Sequence, residues 1–263
     1  MSAAEPDVAR GVLFDLDGTL VDTIGLIVAS FQHAVMAVAG ETVDEATARS
    51  WIGRPLLPVL LERSPTHGEE MDRVYREWNR ANTERLIRPY AGIAELLADL
   101  TADGVPMGIV TSKRREIAQY ALDSVGLGSA IALLGTLEDT SEHKPDPAPL
   151  LLGAKRLGVE PRDCTYVGDA TVDVLAARAA GMRSIAVSWG AGTMADLGCS
   201  PPAPIRQRCP VRAPFSTIAG SVRRRAGGES GVTRVTRECE VARRVQSTRR
   251  RARREMTRLS FTR

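Results

Sequence analysis

The segment FDLDGTLVDT at residues 14–23 combines residue types that suit phosphoryl transfer. Asp15 and Asp17 lie two residues apart at the end of a predicted strand, so their carboxylates point the same way. One carboxylate could attack phosphorus and form an acyl phosphate, while the other could transfer protons as a general acid and base. Gly18 and Thr19 then turn the chain, and we expect them to offer backbone N–H groups to a phosphate. Taken alone, the segment also fits a strand followed by an Asp-Gly turn.

Three later segments supply the other groups that such chemistry needs. Thr111 and Ser112 follow an apolar run and are predicted to bind phosphate oxygens, although Ser112 also suits the N-cap of a helix. Lys144 precedes a Pro-Asp-Pro segment and is predicted to balance the negative charge of the nucleophile and the phosphate. Asp169 ends another apolar run, and Asp173 follows on the first turn of a predicted helix. Carboxylates arranged in this way suit Mg²⁺.

Short apolar runs alternate with helical patterns through most of the sequence. This alternation predicts a Rossmann-like α/β core, in which helices cover both faces of a parallel sheet. The predicted strands are at 11–14, 105–112, 130–136, 164–169 and 183–189. Each polar segment comes at the end of a predicted strand, and ligands bind at the carboxyl ends of the strands in an open α/β sheet. We therefore expect the four segments to meet in one site.

Residues 23–88 contain helical patterns only, and they are too many for a single crossover between the first two core strands. Within them, Thr42 and Glu45 form a capping-box signature before a predicted helix. We predict that residues 23–88 form an all-helical cap domain. The α/β core would then consist of residues 1–22 and 89–197.

The charge of the chain changes sharply near residue 198. Residues 198–263 contain 17 arginines, no lysine and four acidic residues, a net charge of +13, whereas residues 1–197 carry −10. This tail is rich in Pro, Gly, Ser and Arg and lacks periodicity, which predicts disorder. A reading-frame shift in a GC-rich gene is our leading explanation for its composition. A nucleic-acid-binding tail is the alternative, but the scarcity of aromatic residues argues against base stacking.

Two further features bear on location and partners. No apolar run approaches the ~20 residues that span a bilayer, and the acidic, polar N-terminal segment is not typical of a signal peptide. We expect a cytoplasmic location, no membrane partner and a small phosphate compound as the binding partner. The sequence indicates no particular oligomeric state.

With these motifs, residues 10–197 resemble the haloacid dehalogenase-like (HAD) superfamily of phosphatases that carry a small helical cap. The family's four motifs correspond, in order, to Asp15 with Asp17, Thr111, Lys144, and the pair Asp169 and Asp173. The resemblance implies that Asp15 is the nucleophile and Asp17 the acid/base. It also implies a Mg²⁺ site formed by the Asp15 carboxylate, the Asp17 backbone carbonyl and the two acids of the fourth motif.

Several cap segments look like those of the PpaX-type pyrophosphatases and the phosphoglycolate phosphatases within this family. In such enzymes the segment equivalent to residues 52–56 dips into the site, so Arg54 is predicted to contact a second anionic group of the substrate; the alternative is a solvated side chain. A guanidinium binds phosphate or carboxylate equally well, so Arg54 does not choose between these substrates. The cap also lacks the lysine that the phosphonate-cleaving branch requires. His33 is expected to be structural.

The sequence therefore predicts a Mg²⁺-dependent phosphohydrolase that works through a phospho-aspartate intermediate. Its expected substrate is a small phosphate compound such as pyrophosphate or 2-phosphoglycolate. Two alternatives stay open. The chain could be an inactive, degenerate member of the family, because the resemblance stops before the family's last strand, or it could be a phosphatase-derived protein that binds nucleic acid through its basic tail.

Overall fold

The computed structural model of this protein describes residues 10–192. Its strands are β1 (Gly11–Phe14), β2 (Val21–Asp22), β3 (Arg88–Pro89), β4 (Met107–Val110), β5 (Leu133–Gly135), β6 (Cys164–Gly168) and β7 (Arg183–Ala186). Its α-helices are α1 (Ile24–Ala39), α2 (Glu45–Ser50), α3 (Leu56–Arg63), α4 (Gly68–Leu86), α5 (Ile93–Ala102), α6 (Arg115–Ser124), α7 (Ala148–Leu157) and α8 (Thr171–Ala179). Single 3₁₀ turns lie at Leu137–Asp139 and Pro161–Asp163.

Five strands form one parallel sheet in the order β5-β4-β1-β6-β7. All five were predicted from the apolar runs, and the predicted α/β fold with a helical insert is confirmed. Each residue of β1 is buried, because this strand is central and its two faces are both covered. The continuous apolar character of the run reflects that position.

Successive residues of β1 point into two different helical layers, as the pleat of a strand requires. Phe14 belongs to a cluster that includes Leu97 of α5 and Leu122 of α6. Leu13 faces the other way, into a cluster that includes Leu150 of α7 and Ala176 of α8. The sheet is therefore held rigidly between two apolar layers, which fixes the positions of its strand ends.

The helical insert comprises α1 to α4 and has an apolar cluster of its own. Phe31 packs against Trp51 and Tyr75, with ring centroids 5.0 and 4.9 Å away. The chain leaves the core along β2 and returns along β3, and these two short strands pair in antiparallel fashion. Both ends of the insert are therefore joined at one place. The exact limits of a cap domain at 23–88 stay a prediction.

The predicted capping box at Thr42 and Glu45 is wrong. Helix α2 begins after Asp44, whose carboxylate accepts hydrogen bonds from the backbone N–H and the hydroxyl of Thr47, both at 2.8 Å. The short side chain of Asp44 adjoins the first turn and satisfies its free N–H directly, as an N-cap does.

None of the helices in the described residues is long and apolar enough to cross a membrane. The predictions made for residues 198–263 lie outside the described part of the chain.

We expect Leu13→Ala to lower the free energy of unfolding by about 2–5 kcal/mol, because it removes a fully buried side chain from the central strand and leaves a cavity. Leu151→Ala is the matched control: this leucine of α7 is 40% exposed, and we expect a change below about 0.5 kcal/mol. Urea denaturation followed by circular dichroism measures both. Equal losses in the two variants would contradict the assignment of Leu13 to the core.

Candidate active site

The predicted catalytic segments converge at the carboxyl edge of the sheet. Asp15 directly follows β1, Thr111 follows β4, and Asp169 follows β6. Lys144 comes from the loop between β5 and α7 and reaches the same place, with its side chain only 1% exposed. The parallel sheet thus assembles residues that are far apart in the sequence.

Lys144 joins two of the carboxylates. Its Nζ lies 2.9 Å from Asp15 Oδ1 and 2.6 Å from Asp173 Oδ1. A third donor–acceptor contact of 3.1 Å joins it to the Tyr166 hydroxyl, which itself donates to the Val110 carbonyl. The lysine therefore has a fixed position at the base of the site.

Asp15, Asp169 and Asp173 form a buried cluster whose carboxylate oxygens lie within 4.8 Å of one another. Asp173 is also held by its neighbours, since its second oxygen accepts from the backbone N–H groups of Asp169 and Ala170 at 3.1 and 2.9 Å. It therefore both caps α8 and holds Lys144. All three carboxylates are candidate ligands for an ion.

The electrostatics of this cluster favour added positive charge. Burial raises the pKa of Asp15 to about 7, although Lys144 opposes the shift. Burial, followed by the nearby Asp173, raises the pKa of Asp169 well above its usual range. Burial alone would lower the pKa of Lys144, but Asp15 and Asp173 outweigh it and raise that pKa well above its usual value. Three buried acids with one ammonium group between them suit a divalent cation, for which carboxylates are hard oxygen ligands.

The turn at Gly18 and Thr19 differs from the prediction. Their N–H groups do not face the pocket, because they donate within the turn to Val21 and Leu16 carbonyls at 2.9 and 3.3 Å. Within residues 10–192, the N–H groups of Leu16 and Asp17 are the ones in this turn without a hydrogen-bond acceptor. The N–H groups of this turn that have no acceptor are thus two residues before those that we expected to offer to a phosphate.

Gly18 and Thr19 instead shape the surroundings of Asp169. The Thr19 hydroxyl lies 3.4 Å from Asp169 Oδ1. Gly18 has a φ of +76°, and a Cβ there would overlap the Asp169 carboxylate. A glycine is therefore required at this turn both by backbone conformation and by space.

Asp17 lies beside Asp15 in the pocket and is held by two donors. The Thr23 hydroxyl donates to its Oδ1 at 2.7 Å, and Lys113 Nζ lies 2.5 Å from the same oxygen. Lys113 was not among the site residues predicted from the sequence. Its position directly after Thr111 and Ser112 was the available signal, since a side chain so close to a strand end is expected at the same edge of the sheet.

The insert supplies the other wall of the pocket. Ser112 donates to the Gly53 carbonyl of the insert at 3.0 Å and does not cap α6, which begins after Arg114. Arg54 lines the pocket and forms a 2.6 Å ion pair with Glu62; its contact with a second anionic group stays a prediction. The insert and the core thus meet directly over the catalytic segments.

His33 lies away from these groups. Its ring is exposed on α1 and stacks on Trp78 of α4, with centroids 5.5 Å apart. This geometry agrees with the structural role expected for it.

A parallel sheet, a helical insert and a lysine-bridged carboxylate cluster at the sheet edge define a capped hydrolase that acts on phosphate bonds. More particularly, the chain belongs to the haloacid dehalogenase-like hydrolase family, whose model matches residues 12–187. The predicted family resemblance is confirmed.

Relatives of this chain include two kinds of phosphate-cleaving enzyme. The chain is 35% identical to a pyrophosphatase PpaX from Bacillus velezensis, over 68% of this chain and 82% of that protein. It is 34% identical to phosphoglycolate phosphatase 1 from Pseudomonas aeruginosa, over 72% of this chain and 75% of that protein. A solved haloacid dehalogenase-like hydrolase from Streptococcus pneumoniae has a TM-score of 0.65 at 25% identity and covers 73% of this chain and 90% of its own.

Cation binding at this cluster is expected to depend on pH. Because the pKa of Asp15 is raised to about 7, most of this residue is protonated at pH 6 and ionised at pH 8, and metal ligands must be ionised. We expect the affinity for Mg²⁺, used as the probe, to be roughly tenfold lower at pH 6 than at pH 8. Isothermal titration calorimetry on the metal-free protein measures it.

The metal-free protein should show the opposite trend in stability. Its folded form holds a proton on Asp15 that the unfolded chain releases near pH 4, so the free energy of unfolding should fall as pH rises from about 4 to 7. For the Mg²⁺ titrations at pH 6 and pH 8, sodium chloride at matched ionic strength controls for the screening of charges by salt.

Identical Mg²⁺ affinity at both pH values would contradict the raised pKa of Asp15.

Proposed function

We propose that this protein is a Mg²⁺-dependent phosphohydrolase that works through a phosphorylated Asp15. The observation that carries the proposal is the pairing of Asp15 with Lys144 at the base of a pocket that also contains Asp17. The pairing orients one carboxylate oxygen, and burial excludes the water that would otherwise solvate the nucleophile. Asp17 lines the same pocket, where it can donate a proton to the leaving-group oxygen of the substrate.

In the first step Asp15 attacks the phosphorus. A bond forms between its carboxylate oxygen and phosphorus while the bond to the leaving oxygen breaks, and Asp17 donates a proton to that oxygen. Water then attacks the phosphorus of the acyl phosphate, Asp17 accepts a proton from it, and the Asp15 carboxylate is released. The contacts of Asp17 with Thr23 and Lys113 hold its carboxylate in place for both transfers.

The charge of the phosphoryl group must be balanced during both steps, and in phosphoryl transfer positioning and electrostatics supply most of the acceleration. Lys144 supplies one positive charge next to Asp15. The Thr111 hydroxyl and the N–H groups of Leu16 and Asp17 are suited to donate to the phosphoryl oxygens. Mg²⁺, held by the Asp15, Asp169 and Asp173 carboxylates and the Asp17 carbonyl, would neutralise further charge when bound.

We propose a small substrate with a second anionic group, as in pyrophosphate or 2-phosphoglycolate. The support is the lining of the pocket, which includes four basic side chains: Arg54, Arg76, Lys113 and Arg114. The first three also pair with acids, Glu62, Asp72 and Asp17 respectively. Two of them, Arg54 and Arg76, come from the insert, so the insert would select the substrate. The names of the relatives agree with both candidates, and the pocket charge alone does not distinguish phosphate from carboxylate.

Replacing the nucleophile tests the mechanism. We expect Asp15→Asn to reduce hydrolysis of p-nitrophenyl phosphate and pyrophosphate at least about a hundredfold, because an amide cannot form the acyl phosphate. Asp17→Asn should be nearly as severe. A phosphate-release assay with Mg²⁺ measures the rates, and acid-quenched mass spectrometry detects the phosphorylated peptide.

Asp123→Asn is the control, since this aspartate is exposed on α6 and accepts a hydrogen bond from Gln119 of the same helix. It should retain the full rate. A wild-type-like rate in Asp15→Asn, with a normal melting curve, would overturn the phospho-aspartate mechanism.

Replacing Arg54 tests the remote-anion contact. We expect Arg54→Ala to raise KM for pyrophosphate and 2-phosphoglycolate by on the order of tenfold, the loss typical of a hydrogen bond to a charged group, with little change for p-nitrophenyl phosphate. Arg63→Ala is the matched control, because Arg63, on the neighbouring α3, also pairs with an acid, Glu41, but does not line the pocket. Equal effects on all three substrates would exclude contact between Arg54 and the second anion.

A further inference from the structure

The segment at residues 189–192, which follows β7, wraps around Asp169. The Ala191 N–H donates to Asp169 Oδ2 at 2.5 Å, and the Gly192 N–H donates to the Asp169 carbonyl at 3.1 Å. Trp189 anchors the start of the segment, since its indole N–H donates to the Thr19 carbonyl at 3.2 Å. The orientation of this acid therefore depends on where the segment lies.

Gly190 fits the segment tightly against the acid. A Cβ at Gly190 would overlap both the Cβ and the carboxylate of Asp169. Because there is no free space between them, a small displacement of the segment changes the environment of the acid directly.

The insert contacts this segment in two ways: Ala191 packs against the insert's apolar cluster, and one side chain of the insert forms a hydrogen bond with Gly190. Arg49, on α2, donates from Nη2 to the Gly190 carbonyl at 2.9 Å. Its other terminal nitrogen, Nη1, lies 3.4 Å from Glu45 of the same helix. The Arg49 side chain is only 34% exposed, so this charged donor is partly shielded from water and its hydrogen bond is correspondingly strong.

We infer that Arg49 is a positioning residue through which the insert controls the cation affinity of Asp169. The inference rests on the proposed function, because it takes the carboxylate cluster to be a cation site. Arg49 is not among the residues that line the pocket or form the carboxylate cluster. It holds the Gly190 carbonyl, which holds the Ala191 N–H against Asp169, and that N–H stabilises the ionised carboxylate in one orientation.

The chain of contacts works in both directions. The Arg49 contact with Gly190 orders the acid and so favours cation binding. A cation that orders the acid and the 189–192 segment favours the Arg49 contact by the same free energy. The contact and cation binding thus strengthen each other.

The test compares cation binding in three variants without any substrate. We expect Arg49→Ala to weaken Mg²⁺ binding about tenfold, the lower end of the range for residues that support metal ligands from outside the ligand set. Arg49→Lys, which keeps one donor, should recover part of the loss. Isothermal titration calorimetry on metal-free protein at pH 8 measures each affinity.

Arg80→Ala is the matched control. Arg80 also comes from the insert and reaches the core, through a 3.1 Å contact with Glu116, but it makes this contact on α6 and not on residues 189–192. It should leave Mg²⁺ affinity unchanged within about twofold. Hydrogen exchange followed by mass spectrometry adds a second measurement: the peptide that contains Ala191 should exchange faster in Arg49→Ala than in Arg80→Ala.

The possible outcomes separate the inference from the function on which it rests. If wild-type protein binds Mg²⁺ and Arg49→Ala binds it equally well, the positioning role is overturned while the phosphohydrolase proposal stands. If Arg80→Ala weakens binding as much as Arg49→Ala, the effect is a general loosening of the insert, and the role is again overturned. If wild-type protein binds no Mg²⁺, both proposals fail. If Arg49→Ala does not fold, the Mg²⁺ affinity of Arg49→Lys and the hydrogen exchange of its Ala191 peptide test the positioning role instead. Wild-type values for both would overturn it.

Discussion

The buried contact of Lys144 with Asp15 and Asp173 is the interaction on which the rest of the site depends. Removing charges from water costs several kcal/mol per ion unless partners surround them, and here the partners come from three separate parts of the chain. Only a completed sheet brings together the end of β1, the first turn of α8 after β6, and the loop after β5. The fold and the site are therefore stabilised or lost together, and an isolated fragment of the core would leave at least one buried charge unpaired.

That arrangement leaves the cluster short of positive charge. One ammonium group faces three carboxylates, and the raised pKa of Asp15 and Asp169 expresses the deficit. A divalent cation would reduce this deficit, whereas an anionic substrate would add negative charge that needs further basic partners. In the proposed function, the basic side chains of the pocket, two of which come from the insert, would balance the substrate's charge, and the cation would balance that of the carboxylates.

Much of this architecture could be predicted from the sequence, because its signals are local. Apolar runs identify strands, and a polar residue at the end of a run must lie at the sheet edge; this placed Asp15, Thr111 and Asp169 together. The features that could not be predicted are the specific contacts between atoms of different segments at the carboxyl edge of the sheet. The sequence pattern does not show that Lys113 turns toward Asp17, nor that the N–H groups of residues 18 and 19 are used within their own turn.

The paired strands β2 and β3 carry one more consequence. The chain leaves and re-enters the core at paired residues, Val21 opposite Pro89 and Asp22 opposite Arg88. The backbone therefore joins the intervening helices to the core through this one short strand pair. The main sheet requires that β2 and β3 pair, but it does not require a particular length or sequence between them. An ancestral gene could therefore exchange the whole intervening segment in one recombination and acquire a new preference for substrates while its reaction chemistry was inherited unchanged.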